Sequence, residues 1–310
     1  MADDCLTGFG NTGFYETCDS NFKVMRGAFI MKTTDDDGDF NKIPFGTEID
    51  QAYLDARVND PDPSTRWYPV MNVEEATSAR AEATFYTAGS GAKEFVKQGA
   101  RDLSFEIRNR GAEYLGQIKA CSCESLSFFA VDAEGKLRGK ILDKTDPESD
   151  LYPIKIQPNS FDSQLIVATE DNPEHLLVSW QYGLTEKDEL LRVYPSGLVS
   201  ADLLGAKGLI DAFLTVSAVT TTGFVAKLST LYSTNVGGVD KFNVSGLVAA
   251  DFDLYNVTDS AAIVITSVVE STPGTYTFVI PTTPTADVKR LTPDKLGFDF
   301  GQVVAKTFTV

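Results

Sequence analysis

Apolar residues alternate with polar ones in short runs along most of this chain, and that period of two commits it to β-structure. Leu103, Phe105 and Ile107 alternate with polar neighbours, and Tyr276, Phe278 and Ile280 do so after a Pro273-Gly274 turn. Such spacing places each set on one face of a strand. Asn21 to Met31, Glu82 to Thr87, 152–157, 163–169 and 175–182 also have strand character. The clearest hairpin joins Leu126–Val131 to Lys136–Ile141 through Asp132-Ala-Glu-Gly135, with Gly135 free to take a positive φ. Helical spacing is rare. Ala112, Leu115 and Ile118 show it, with Tyr114 beside them and Asn109 placed to cap. Short helices are also predicted over Glu186–Arg192 and near Ala201–Leu204. The fold class expected is mainly β with minor α.

A chain of 310 residues exceeds what one hydrophobic core serves comfortably, so two domains are expected. Residues 1–205 read as a β-sandwich or barrel-type domain with a flanking helix, an N-terminal arm over Met1–Ser20, and a long irregular stretch through 33–72. From about Gly205 the character changes to short strands with turn signals every eight to twelve residues. They are predicted over 211–219, 222–230, 240–247, 251–258, 261–270, 274–281, 287–292 and 303–310, the pattern of a sandwich of about 100 residues. Within it, Val244–Thr258 followed by Ala262–Ile280 resembles immunoglobulin-like modules of bacterial and phage surface proteins. Residues 206–310 hold no Cys, so the intersheet disulfide of antibody domains is missing.

Charge separates the two parts. The formal net charge is −17, and residues 1–205 carry −15 of it, with 35 Asp and Glu against 20 Lys and Arg. Acidity of that size repels polyanions, and no basic stripe offers a nucleic acid stable purchase. A surface past which DNA slides without sticking remains compatible with it. The opening Met-Ala-Asp-Asp leads into no apolar h-region, so neither a secretory signal nor membrane attachment is expected. Synthesis and folding in a cytosol are expected. Cys121 and Cys123 lack Cys-x-x-Cys spacing, and with Cys5 and Cys18 they read as small hydrophobes.

Motifs for chemistry fail on their own spacing. The single histidine, His175, has no nucleophile motif near it. The acidic run Asp35–Asp39 places Phe40 and Gly46 where a calcium loop of the EF-hand type needs Gly and Glu. Gly8, Gly10 and Gly13 match dinucleotide-motif intervals but open no βαβ unit. Gly89, Gly91 and Lys93 lack phosphate-loop spacing. No catalytic, cofactor-binding or metal-binding residue is assigned, no cofactor is expected, and the chain reads as non-enzymatic.

Several segments together resemble the tube- and ring-forming virion proteins of tailed bacteriophages. They are Trp67-Tyr-Pro-Val70, the stretch Glu94 to Phe105, the Tyr114-Leu-Gly116 helix and the hairpin Phe128 to Gly139. The resemblance implies a tail tube subunit located in the virion tail. Its rings stack around an acidic lumen for DNA ejection, it contacts other tail proteins, and an immunoglobulin-like domain decorates it outside and meets host-surface glycans. Phe9, Phe14, Tyr15, Phe40, Phe45, Trp67 and Tyr68 become candidate inter-subunit contacts. A head or neck decoration or ring protein, and a cell-surface adhesion module, are the alternatives.

Overall fold

The computed structural model describes residues 22–108, 112–120, 125–146, 148–230, 243–284, 286–295, 297–299 and 306–309. Among these residues strand accounts for 48% and helix for 9%, which makes the protein mainly β with minor α. Contacts divide it into two compact units, Met1–Ala206 and Lys207–Val310.

In the first unit the strands are β1 (Met25–Lys32), β2 (Tyr68–Met71), β3 (Val73–Arg80), β4 (Thr84–Thr87), β5 (Lys93–Lys97), β6 (Arg101–Arg108), β7 (Leu126–Asp132), β8 (Leu137–Lys140), β9 (Ile154–Lys155), β10 (Asp162–Ile166), β11 (His175–Gln181) and β12 (Leu191–Val193), with helices α1 (Gln51–Val58) and α2 (Ala112–Ala120). One sheet runs β12-β8-β7-β1-β2, with β9 also on β7, and a second runs β10-β11-β6-β3. The chain crosses between them at Asn72, in the left-handed conformation (φ 59°) that Asn tolerates better than most residues.

The pair β1–β7 is the centre of this unit. It is antiparallel, with Phe29 opposite Phe129 and Ile30 opposite Phe128. Alternation sends Ala28, Ile30, Phe128 and Ala130 into a core shared with Leu103, Phe105, Val178 and Trp180 of the second sheet. Phe29, Met31, Phe129 and Val131 enter a second core on the opposite face, closed by Leu54 and Val58 of α1 and by Ile43, Trp67, Leu151 and Leu203. Each core holds one tryptophan. Trp180 meets Phe105 and Phe128 at 5.1 Å and stacks on Phe161 at 5.5 Å. Trp67 lies 5.2 Å from Phe29 and 5.4 Å from Phe129.

The structure corrects several expectations. The stretch 33–72 is not irregular throughout. Asp50 caps α1 by accepting the Tyr53 N–H at 2.7 Å, and Leu54 and Val58, four apart, face the core. Val73–Arg80, unassigned in the sequence, is β3. Glu186–Arg192 forms no α-helix: one 3₁₀ turn at Asp188–Leu190 leads into β12, whose backbone pairs with β8. Ala201–Leu204 is a turn in which Asp202 accepts the Gly205 N–H at 3.0 Å. The hairpin at Asp132–Gly135 forms as read, with Gly135 at φ 77°. Asn109 lies outside the described residues.

The second unit holds β13 (Ile210–Thr220), β14 (Gly223–Thr230), β15 (Phe252–Asn256), β16 (Ala261–Ala262), β17 (Ser267–Thr272), β18 (Thr275–Val279), β19 (Val288–Pro293), β20 (Phe298–Asp299) and β21 (Lys306–Thr309). They form sheets β17-β18-β14-β13-β20 and β16-β15-β19-β21. Leu214, Phe224, Leu228, Tyr276 and Phe278 from the first meet Phe252, Leu254 and Leu291 from the second in one core. The predicted strand 261–270 is two strands. Residues 240–242 fall outside the described set, and Asn243 makes only a bridge to Ser229.

Tyr276 joins this core to the segment that closes it. Its hydroxyl donates to the Val244 carbonyl at 2.7 Å and accepts the Leu247 N–H at 3.3 Å. Burial pushes the phenol up from 10.0 to about 12. The folded state therefore holds this proton more tightly than the unfolded chain. The associated stability is complete below about pH 10 and is lost as pH rises toward about 12. Tyr276→Phe should cost about 1–2 kcal/mol at pH 8 and flatten that alkaline loss, read by denaturant unfolding at each pH. Trp67→Ala should lower the stability of the first unit by about 3–5 kcal/mol, leaving the calorimetric transition of the second in place.

Candidate assembly surface

One feature of the first unit is not accounted for by its own packing. Beyond Arg80 and Arg101 the β3–β6 ribbon continues as β4 and β5, which pair with each other and, among the described residues, with no other strand. At roughly 3.3 Å per residue, the ribbon from Ala81 to the turn at Ala88 reaches about 20–25 Å beyond the sheet. Every residue of β4 and β5 is exposed. Phe85 stands opposite Phe95, rings 6.0 Å apart, on one face, while Tyr86, Glu94 and Val96 occupy the other. Phe85, Tyr86, Phe95 and Val96 are 52–60% exposed. An isolated two-stranded ribbon is marginal in water, and apolar rings on both faces gain nothing from solvent.

The root of this arm is fixed. Ala81 N–H donates to the Ala100 carbonyl at 2.7 Å. At Gly99 the strands approach so closely that a Cβ would fall 1.9 Å from the Ala81 oxygen, so any side chain there displaces backbone. Arg80, the last residue of β3, donates Nε and Nη2 to the two oxygens of Asp188 at 3.0 and 2.7 Å. Arg101, the first residue of β6, donates Nη1 to Asp188 at 2.7 Å and lies over the Tyr182 ring. Partial burial pushes the Asp188 carboxyl up, but the hydrogen bonds and charges of the two arginines outweigh it and leave it below the usual carboxylate range. The clasp thus holds at neutral pH and weakens as acid titrates the carboxylate.

A second exposed aromatic surface lies at the far face of the first sheet. Phe40 and Phe45 are each more than half exposed. Phe40 meets Tyr152 edge-on at 6.5 Å, and the Phe45 N–H donates to Asp150 at 2.9 Å, the carboxylate that also pairs with Lys42 at 2.7 Å. Beside Phe45 is an open cleft of about 290 Å³ floored by Ile141, Leu151, Tyr194, Pro195 and Leu198, along the sheet-ending strand β12.

Of the sequence-derived contact residues, Phe40 and Phe45 therefore sit on one surface. Trp67 does not: it is 2% exposed in the second core, because the aromatic faces of Phe29 and Phe129 enclose it, so it offers nothing to a neighbour. Tyr68 is half-buried on β2 against the first core. Phe9, Phe14 and Tyr15 lie outside the described residues, as do the four cysteines and the Gly8–Gly13 motif. The arm aromatics were missed, although Phe85, Tyr86 and Phe95 flanking the Ala88–Gly91 turn carried the signal.

His175 opens β11 with Nδ1 3.0 Å from the Pro173 carbonyl and Nε2 3.6 Å from Glu106. Asp35 accepts the N–H groups of Asp37 and Asp39 at 3.1 and 2.8 Å, closing the acidic run as a turn upon itself. Among the described residues no group of three or more His, Cys, Asp or Glu could hold a metal ion. Among them, too, no helix is long and apolar enough to cross a membrane. No family model, no curated protein and no solved structure matches the chain.

Asp188→Ala should loosen the arm without unfolding the unit. A partly exposed ion pair is worth about 0.5–1 kcal/mol, so the Ala81 amide should exchange its hydrogen roughly two- to fivefold faster. Amides of β7 should exchange at the parent rate.

Proposed function

We propose that this protein is a non-enzymatic structural subunit that assembles with copies of itself, of the kind that builds the tail tube of tailed bacteriophages. The observation that carries the reading is the rooted arm, which presents aromatic residues on both faces and has no partner strand among the described residues of its own unit. A ribbon fixed at its base and apolar at its tip is suited to contacting another subunit. The acidity of residues 1–205 fits a wall past which DNA moves without adhering. Other tail proteins are then its natural partners and the virion tail its location. The second unit is read as an immunoglobulin-like module, supported by two sheets around one core and by the parallel pairing of β13 with β20 at a sheet edge.

Purified full-length protein, imaged by negative-stain microscopy and followed by sedimentation over about 1–100 μM, a span about the micromolar affinity scale, should form rings or stacked tubes. A species that stays monomeric throughout would sink the proposal.

A further inference from the structure

We infer that Lys289 and Asn256 join in a side-chain amide bond that crosslinks β19 to β15, formed by the folded second unit itself with Asp287 as proton carrier.

Among the described residues of the second unit the buried polar ones are Asn256, Asp287 and Lys289, at 4%, 6% and 0% exposure, and they lie together. Asn256 and Lys289 stand directly opposite each other and share the inner face with Leu254 and Leu291. In this ladder Val257 N–H donates to the Val288 carbonyl at 2.7 Å and Asp294 N–H to the Asp251 carbonyl at 2.8 Å. The Asn256–Lys289 pair between them is therefore of the kind without mutual backbone bonds, with Cα atoms about 4.5 Å apart and side chains leaning together. On the other side of Lys289 stands Phe308 of β21, packed on the apolar core.

A lone ammonium is costly in such a place. Among the described residues Lys289 Nζ donates to the Thr283 hydroxyl and has no carboxylate within ion-pair distance. Burial pulls the ammonium below the usual lysine range, against the opposing charge of Asp287. Desolvation of this kind makes the neutral, nucleophilic amine easier to reach. The flexible lysine stem lets Nζ move from Thr283 to the Asn256 carboxamide facing it.

That carboxamide is held as an electrophile. Its Oδ1 accepts the N–H groups of Thr258 at 3.0 Å and Asp259 at 3.4 Å, and its Nδ2 donates to Asp287 at 2.9 Å and Asp259 at 2.7 Å. As Nζ bonds to Cγ, the electron pair displaced onto Oδ1 is met by the two backbone donors. Asp287 takes a proton from Nζ and passes it to Nδ2. The Cγ–Nδ2 bond then breaks, ammonia leaves past exposed Asp259, and a secondary amide remains. Nothing is oxidised or reduced, and no co-reactant is consumed. The step occurs once per chain and turns over no substrate.

Intact-mass measurement of denatured full-length protein tests this. The parent should be one ammonia lighter than its sequence. Trypsin should fail to cut after Lys289, and further cleavage after Glu270 should leave 242–270 joined to 271–290. Lys289→Met and Asn256→Ala should each have the full sequence mass, and Asp287→Asn should form the bond about a hundredfold more slowly. A parent of full mass overturns the proposal, whatever the variants do. So does a parent one ammonia lighter without the joined peptides, as a succinimide at an asparagine would give. An Asp287→Asn chain that crosslinks at the parent rate overturns the role given to Asp287.

Discussion

The antiparallel pairing of β1 with β7 is the constraint on which the first unit depends. A strand buried on one face reads as alternation, but this pair is buried on both and must place an apolar or small residue at nearly every position. One face meets the second sheet around Trp180 and the other meets α1 around Trp67. Within the pair, Ser127 and Asp132 are the buried polar exceptions: the Ser127 hydroxyl is satisfied by Thr33 at 2.9 Å, and the Asp132 carboxylate accepts the N–H groups of Lys23 and Glu134 at 2.8 Å and of Lys136 at 2.9 Å. A one-residue slip in this register would exchange the contents of the two cores, so the pair fixes the remaining strands as well.

What this centre makes possible is seen at its margins. Because β6 is anchored by Leu103, Phe105 and Ile107, its partner β3 can be an edge strand with little apolar content, held by Arg108 of β6 against Glu74 at 3.1 Å and Glu75 at 3.3 Å. The same ribbon then leaves the sheet as the arm. Its direction is set where it leaves, by the Arg80–Asp188–Arg101 clasp and the close approach at Gly99, rather than by packing along its length.

Legibility in the sequence followed how local each cause is. β6, the β7–β8 hairpin and β18 were readable because alternation and turn residues lie within a few positions of one another. β3 was not, since Val73-Glu-Glu-Ala-Thr-Ser-Ala-Arg80 has the composition of a helix and becomes a strand only through pairing with β6. α1 was hidden among prolines and glycines, and only Asp50 and the Leu54–Val58 spacing marked it. Glu186–Arg192 failed because distant arginines capture Asp188. Trp67 was mistaken for a contact because a lone aromatic before a strand gives no sign of whether a core waits behind it. The arm sequence was visible as a strand and turn, but its lack of cover belongs to the three-dimensional arrangement.

The placement of the two tryptophans has an optical consequence. Both lie in the first unit, one in each core, and the second unit has none. Indole emission excited beyond the tyrosine band therefore sees the first unit alone, and the second is dark in that window. Each ring is enclosed by aromatic neighbours and shielded from water, so its emission lies toward the blue until its own layer opens. Replacing one tryptophan at a time by Phe turns the other into a reporter of a single layer, distinguishing loss of the helix-covered face from separation of the two sheets.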